Sequence, residues 1–498
     1  MKNKKNVTLI NIISSLLLQV VTIISGFIVP RIILTTFGSE VNGLVSSLTQ
    51  FLNYVGILEG GLTGVVLANL YKPLYKKDYK KISSVLKTTI SFYRKLALIF
   101  LGYTIILSIV YPLITKTSFS FIYISSLTLI LSMTLFIQYN FSLSYRLLLQ
   151  ADKKVYIVSF TQIIFIIVNV LVFLVMSKLF PNIHLIKFAS GLIFVLQPLI
   201  FNYIVHKNYQ IDKDVAEDKK LLNSRWDGFA INVAAFVHNN TDVTILTLFT
   251  SLKTVSVYAV HALVSTGLKK LIQSISSAIG PSIGHLYAKD NPEELTKKFE
   301  LYEFLIFFIT FLMFTVGGLL ISPFVQIFTK NVTDINYYEP LFAFLLIVSE
   351  LVYCIREPYV VLAYSANKFQ DLKKVSYLEA IINIIISIIL VNIFGLIGVA
   401  IGTTIAMTYR TLFHVYYLKD NIIKRSPKHF YKKFFVFTLS SLISVLLCIM
   451  LLPIKQYNFI TFIIYGVIYS IIILVIYLIS SIIFYRDDLV KLKKKLIK

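Results

Sequence analysis

The sequence predicts an all-α integral membrane protein with about 14 transmembrane helices, and three observations support this prediction. The 498 residues are 57% hydrophobic and 14% charged, with a mean hydropathy of +0.79. Long apolar stretches alternate with short connections, and nearly every second connection is rich in lysine or arginine. Short motifs of the first half recur in the second half at a constant distance. A soluble protein of this size could not bury so much apolar surface, whereas a bilayer solvates it.

The apolar stretches have the length that crosses a bilayer. A spanning helix needs about 20 predominantly apolar residues. We therefore expect helices near residues 8–30, 41–69, 84–114, 119–147, 155–179, 184–206, 227–251, 254–286, 299–323, 336–364, 375–394, 395–418, 434–454 and 459–485. A transmembrane barrel would instead show short alternating segments. The even number of helices agrees with two basic termini on the same side of the membrane.

The distribution of basic residues predicts the orientation. Lysine and arginine are concentrated at both termini and in alternate connections, and by the positive-inside rule these parts are cytoplasmic. The formal net charge of +24 would ordinarily suggest a nucleic-acid partner. Because the charge lies in short connections beside helices, anionic lipid headgroups are the expected partner instead. Cys354 and Cys448 lie in apolar runs and are expected to be small hydrophobic residues, with no disulfide and no metal site.

The two halves of the chain look like repeats. Leu70-Tyr71 has a counterpart in Leu286-Tyr287, and Val41 has one in Val257, each about 216 positions later (287 minus 71). Six helices per half insert in the same orientation, so two six-helix bundles related by a parallel pseudo-two-fold axis are expected, with the substrate site where they meet. The expected division is an N-terminal bundle 1–206, a charged cytoplasmic linker 207–226, a C-terminal bundle 227–418 and two further helices with a basic tail, 419–498.

Lys269 and Lys270 are the most informative charged residues, because they lie near the middle of the eighth helix. Ionisable side chains inside a membrane are costly and mark functional sites. Gln273 and Ser274 follow within two turns, so this helix is expected to line a water-filled cavity. The alternative is a helix break, with both lysines extending to the membrane interface.

The seventh helix carries a second polar group, His238, Asn239, Asn240 and Asp242. Ionised Asp242 would need a partner at that depth, and Lys269 or Lys270 is the expected one. The alternatives are a carboxylate that binds a proton or Na⁺, because burial raises the pKa of an acid, and an interhelical hydrogen bond that fixes the bundle.

Other ionisable residues complete the candidate site. Arg356 is spaced so that it could pair with Glu350 or Glu357. The residues expected to bind the substrate are Lys269, Lys270, Arg31, Arg356 and Arg410. Those expected to pair with them or to couple transport to an ion are Asp242, Glu59, Glu350, Glu357 and Glu379, and those expected to add polarity to the cavity are His238, Asn239, Asn240 and Gln273.

A basic cavity suits an anionic substrate, and membrane-borne phosphates are the natural candidates. The sequence contains no nucleotide-binding loop, nucleophile elbow or metal-spaced cluster of histidine and cysteine. We therefore expect a transporter without a cofactor and not an enzyme, driven by an H⁺ or Na⁺ gradient or by substrate supply. A membrane glycan polymerase or ligase would also be basic, but such enzymes usually carry a large external loop, which this sequence lacks.

Several stretches together resemble the Wzx-type oligosaccharide flippases of the multidrug/oligosaccharidyl-lipid/polysaccharide (MOP) exporter superfamily. They are Val29-Pro30-Arg31, Phe37 to Gly43, Asn240-Thr241-Asp242, Arg356-Glu357-Pro358, Ala366-Asn367-Lys368, and Phe394 to Thr403 ahead of Arg410. The resemblance covers essentially the whole chain. It implies two six-helix bundles that form a V-shaped basic cavity, in the bacterial plasma membrane.

The resemblance also implies a function. Such a flippase moves undecaprenyl-pyrophosphate-linked oligosaccharide from the cytoplasmic to the outer leaflet, for capsule or another surface polysaccharide, alongside other assembly proteins. The alternatives with the same fold are a cation-coupled multidrug antiporter, which a basic cavity disfavours, and a lipid II-type flippase.

Overall fold

A computed structural model describes residues 2–59, 61–212, 214–218, 236, 240–288, 291–366, 368–453 and 458–490, and the regular elements in these ranges are helices. The N-terminal helices are α1 (Lys2–Asn53), a 3₁₀ helix (Tyr54–Glu59), α2 (Leu62–Lys76), α3 (Tyr79–Ile114), α4 (Phe121–Phe141), α5 (Leu143–Ala151), α6 (Val155–Leu179), α7 (Ile183–Asn208) and α8 (240–249). The C-terminal helices are α9 (Leu252–Ala288), α10 (Pro292–Phe328), α11 (Pro340–Ile355), α12 (Glu357–Ser365), α13 (Phe369–Phe394), α14 (Leu396–Asn421), α15 (Lys428–Leu451) and α16 (Phe459–Phe484).

Ten segments of the described residues are long and apolar enough to cross a membrane. Their outer faces carry large aliphatic side chains, such as Leu113, Met450 and Ile460, which are more than 70% exposed. Such faces would be unstable in water and are at their lowest free energy in lipid. The prediction of an all-helical membrane protein is confirmed, while the count of 14 spans stays a prediction.

Three of the expected continuous helices are interrupted. The segment expected at 41–69 leaves the α-helix at Tyr54, and Gly61 takes a left-handed conformation with φ 72° that glycine adopts without steric cost. The segment at 119–147 is divided at Ser142. The segment at 336–364 is divided at Arg356, because Pro358 lacks the N–H that would continue the helix.

The first compact unit comprises residues 1–256. In it α1 packs against α6, α3 against α4, and α4 against α7, around a core that includes Leu48, Phe100 and Leu127. The segment 240–256 also belongs to this unit: Thr247 and Ser47 hydroxyls are 2.6 Å apart. By this division the unit ends inside α9. The division expected from the sequence, with a linker at 207–226, stays a prediction.

The second compact unit comprises residues 257–498. α13 packs against α14, and α14 against α11. Gly398 and Gly402 allow the close approach of α14 to α13, since a Cβ at either position would overlap the backbone near Leu390 or Ser387. The two last helices, α15 and α16, both pack on α10.

Candidate functional site

Lys269 forms an ion pair across two helices of the second unit. Its Nζ on α9 lies 2.8 Å from Oε1 of Glu350 on α11. Both side chains are nearly buried, at 11% and 13% exposure. Glu350 Oε2 is buried and has no hydrogen-bond partner among the described residues. The pair thus fixes the Lys269 charge between these two helices and leaves one carboxylate oxygen able to accept a further hydrogen bond.

Tyr353 lies one turn beyond Glu350, and two cations lie close to its ring. One is Lys269 on α9, and the other is Arg356 at the end of α11. Lys269 Nζ is 5.0 Å from the ring centroid, and the Arg356 guanidinium carbon is 4.7 Å from it. Cations at this distance are attracted by the negative face of an aromatic ring. Tyr353 therefore brings two of the predicted cations into one cluster, which the sequence did not identify.

Gln273 extends this cluster along α9. Its Nε2 donates to Tyr353 Oη at 3.1 Å, and the Glu357 carboxylate lies near the same side chain. Arg356 is 3% exposed, and its Nη1 lies 3.9 Å from Met407 Sδ. Arg356 forms no ion pair within 4.0 Å with Glu350 or Glu357 in the described structure. Burial and the nearby Arg410 guanidinium disfavour this charge, and the Tyr353 ring with the Glu357 and Glu379 carboxylates offsets part of that cost.

Lys270 differs from Lys269 because it is exposed in the second unit. Ser274 and Ser277 follow it on the same side of α9 and are also exposed. Positions i, i+4 and i+7 lie on one face of a helix. A face that carries an ammonium group and two hydroxyls is costly to expose to lipid tails, so it is suited to water or to a polar substrate.

Arg410 is neutralised by Glu379. The two form an ion pair between α14 and α13, and they are only 6% and 0% exposed. His414, one turn beyond Arg410, hydrogen-bonds to the Arg410 carbonyl through Nδ1 at 2.8 Å. Because removing one member of a buried pair leaves an uncompensated charge, Arg410 and Glu379 hold these helices together in this state.

The polar group of α8 lies in the first unit. Gln50 donates a hydrogen bond to the Asn240 side chain, and Tyr54 Oη is 2.7 Å from Thr244 Oγ1. Asp242 is 7% exposed. Its predicted pairing with Lys269 or Lys270 stays a prediction. His238 and Asn239 lie outside the described residues.

Glu59 ends the 3₁₀ helix in the first unit. The Tyr139 hydroxyl and the Arg146 cation lie near its carboxylate. Arg31 is half-buried on α1, one residue after Pro30. The structure thus brings together Lys269, Gln273, Glu350, Arg356 and Glu357, with the Glu379–Arg410 pair near Arg356, while Glu59, Asn240 and Asp242 lie in the other unit.

The structure contains a second charged cluster that the sequence analysis did not predict. Glu303 on α10 is 0% exposed and accepts hydrogen bonds from Lys433 at 2.5 Å, from Arg425 at 2.7 Å and from the Tyr359 hydroxyl. Burial alone would lower the pKa of Arg425, but the Glu303 carboxylate outweighs it and raises that pKa above its usual value. The only signal in the sequence is Glu303 itself, next to the apolar run that begins at Phe304.

The described residues contain no group of three histidine, cysteine or acidic side chains arranged to hold a metal ion. Cys354 and Cys448 are free and buried, as expected for small hydrophobic residues.

Comparison with known proteins identifies the fold. No protein-family model matches the chain, and no curated protein matches it by sequence. A solved structure of the lipid II flippase MurJ in an inward closed conformation matches 96% of this chain and 99% of its own, with a TM-score of 0.73 and 17% identity. An inward-facing MATE-family multidrug resistance transporter of the MOP superfamily matches 80% of this chain and 94% of its own, with a TM-score of 0.61 and 15% identity.

A third solved structure, the eukaryotic MATE transporter AtDTX14, matches 85% of this chain and 99% of its own, with a TM-score of 0.54 and 14% identity. All three neighbours are described as flippases or transporters. The fold that the resemblance implied is therefore confirmed, while membership of the superfamily and of its Wzx branch stays a prediction. The chain is a multi-pass membrane protein with a fold similar to that of the MurJ flippase and the MATE transporters.

Proposed function

We propose that the protein is a flippase that moves a lipid-linked oligosaccharide, carried on undecaprenyl pyrophosphate, from the cytoplasmic to the outer leaflet by alternating access. The observation that carries this proposal is the exposed face of α9 with Lys270, Ser274 and Ser277. An ammonium group and two hydroxyls are suited to the oxygens of a pyrophosphate. The MurJ-like fold, seen in a protein that handles a lipid-linked substrate, supports the same conclusion.

In this proposal the two lysines act in sequence. Lys270 is exposed and makes the first contact with the pyrophosphate. Lys269 lies at the adjacent position and exchanges Glu350 for a phosphate oxygen as the substrate enters. The charge released on Glu350 is then neutralised by a proton or Na⁺, and its second oxygen, Oε2, is already without a protein partner in the described structure. This exchange would link substrate binding to a cation gradient.

The remaining candidate cations serve a supporting role in this proposal. Arg356 is buried against the Tyr353 ring, so it keeps the local field positive without direct contact in this state, whereas Arg410 is neutralised by Glu379. A positive field at a phosphate site lowers the free energy of the bound anion even over several ångströms. Arg31, Glu59, Asn240 and Asp242 complete the predicted set from the first unit.

The test is translocation in reconstituted vesicles. The substrate is a fluorescent lipid-pyrophosphate oligosaccharide, and its arrival in the outer leaflet is read by a membrane-impermeant quencher. We expect Lys270→Ala to slow translocation about tenfold, since a charge-assisted hydrogen bond contributes about 1.5 kcal/mol. The control is Lys297→Ala, at an exposed lysine on α10. Equal rates for the two variants would exclude the α9 face as the pyrophosphate site.

A cation-coupled multidrug antiporter is the second candidate, because two of the matching structures are MATE transporters. It would place the cationic drug on Glu350 or Glu59 in place of a protein cation. The same vesicles separate the two functions. Uptake of a cationic dye that depends on Glu350, with no movement of the lipid-pyrophosphate oligosaccharide, would replace the flippase by the antiporter. Movement of lipid II in place of the oligosaccharide would assign the lipid II-type function.

A further inference from the structure

A pocket in the first unit has no part in the function proposed above. It is formed by α3, α4, α5 and α7 and has a volume of about 320 Å³. This is the size of small-molecule sites in proteins. Its polar lining consists of Arg94, Asn140, Ser144, Tyr145 and Asn202. The rest of its wall is apolar and includes Phe141 and Leu199.

The polar lining has unused hydrogen-bonding capacity. Among the described residues, none forms a hydrogen bond or ion pair with the side chains of Arg94, Asn140 or Ser144. Arg94 therefore presents a full positive charge, with five N–H donors, beside an amide and a hydroxyl. Arg94 is exposed at this pocket, Asn140 is half-buried and Ser144 is buried, so the three side chains are placed to meet a ligand that accepts hydrogen bonds.

The depth of the pocket can be derived from the helices that form it. After Arg94 and Lys95, α3 continues for 19 residues without a charge, from Leu96 to Ile114 (114 minus 95). At 1.5 Å per residue this stretch is about 29 Å long, which is the thickness of the hydrocarbon layer. On α7, Asn202 lies one turn before the terminal His206 and Lys207. Arg94 and Asn202 are therefore both at the edge of the hydrocarbon layer.

The basic residues near this edge indicate the side of the membrane. Lys80, Lys81 and Lys87 precede Arg94 on α3, and Lys153 and Lys154 follow α5. By the positive-inside rule this edge is the cytoplasmic one. The pocket has its cation and amides at headgroup level, while Phe141 and Leu199 are 50% and 60% exposed on the side that lipid tails cover.

We propose that this pocket binds one anionic phospholipid of the cytoplasmic leaflet, whose phosphate accepts hydrogen bonds from Arg94 and whose acyl chain lies against Phe141 and Leu199. Arginine matches the geometry of a phosphate with two parallel hydrogen bonds. Asn140 and Ser144 are placed to donate to the remaining phosphate or glycerol oxygens. The apolar wall selects a lipid over free phosphate, because a soluble phosphate would leave that wall uncovered.

The experiment is native mass spectrometry of the purified full-length protein in neutral detergent, titrated with phosphatidylglycerol. We expect Arg94→Ala to weaken binding of the first lipid about tenfold, and Arg94→Lys to weaken it less, since lysine keeps the charge without the bidentate geometry. The matched control is Lys95→Ala, which removes an exposed charge from the same depth of α3 without touching the pocket. It should bind like the wild type.

A second variant tests the apolar part of the pocket. Val195 lies in its wall, and Val195→Phe places a ring in the space that the acyl chain would occupy. This variant should lose phosphatidylglycerol while keeping Arg94. If Arg94→Ala does not fold, as judged by size-exclusion chromatography, Val195→Phe still tests whether the pocket binds the lipid.

Two further ligands separate the sources of the phosphate. Phosphatidylcholine should bind more weakly than phosphatidylglycerol, and sn-glycerol 3-phosphate at millimolar concentration should not displace the lipid. If Arg94→Ala and Lys95→Ala weaken phosphatidylglycerol binding equally, the lipid responds only to general surface charge, and the proposal is overturned. So would full displacement by glycerol phosphate, or unchanged binding in Val195→Phe.

Discussion

Lys269 on α9 and Glu350 on α11 form a nearly buried ion pair of 2.8 Å between two helices of the second unit. Tyr353, one turn from Glu350, places its ring on the same lysine. The pair thus has two roles: it joins two helices, and it holds a positive charge at the candidate site. The first role can be measured as stability and the second as transport.

Removing one member of the Lys269–Glu350 pair should lower the free energy of unfolding more than removing both. Either Lys269→Met or Glu350→Leu leaves a nearly buried charge without its partner, at a cost of about 3 kcal/mol. The double variant should recover most of that loss, because two apolar side chains of similar volume replace the pair. Thermal unfolding of the four proteins in one detergent gives the double-mutant cycle. Additive effects would contradict a direct interaction.

Tyr353 should stabilise the protein more through its aromatic ring than through its hydroxyl. Tyr353→Phe loses one hydrogen bond with Gln273 but keeps the face that Lys269 and Arg356 contact. Tyr353→Leu removes the face and should lower stability by a further 1–2 kcal/mol, approximately the value of two buried cation–π contacts. The melting temperatures of the two variants provide the comparison. If Tyr353→Phe and Tyr353→Leu lower the melting temperature equally, the cation–π contacts of the ring do not contribute to stability.

Glu303 should be among the most sensitive residues of the second unit. In Glu303→Gln the cations Arg425 and Lys433 remain buried without their shared carboxylate, which should cost about 3–5 kcal/mol. Glu300 provides the control, because it pairs with the same Arg425 at 3.2 Å but is 31% exposed. Glu300→Gln should change stability by less than about 1 kcal/mol. The yield of monodisperse protein and its melting temperature both report the difference, and similar behaviour of the two variants would be inconsistent with a buried cluster.

Gly43 should not tolerate a side chain. A Cβ at this position would overlap the Leu252 carbonyl group, which is backbone and cannot rotate away. Gly43→Ala is therefore expected to separate α1 from the start of α9 and to reduce the yield of folded protein. Gly26 lies earlier in α1, before the non-helical Gly38, with no neighbour within 4 Å of such a Cβ. Gly26→Ala should be neutral or stabilising by about 0.5–1 kcal/mol, since alanine favours the helix. A normal yield and melting temperature for Gly43→Ala would show that the two segments are not in close contact.

The membrane class follows from the sequence because the physics that decides it is local. A run of about 20 apolar residues crosses a bilayer whatever lies beside it. For this reason the helices expected at 155–179, 395–418 and 459–485 agree with α6, α14 and α16 within three residues. The breaks at Ser142 and Arg356 were not anticipated, because a helix continues through such residues or stops at them according to what packs against it.

The candidate residues were chosen from the cost of a charge in a membrane, and that cost depends on residue type and depth alone. Lys269, Lys270, Arg356, Arg410 and Glu350 were found in this way. Which acid meets which base depends on distances across 31 to 130 positions of the chain, as in Arg410–Glu379 and Lys433–Glu303. Only the tertiary structure decides this. The same holds for Lys270, whose exposure beside a buried Lys269 is set by the packing of α9 and not by the dipeptide itself.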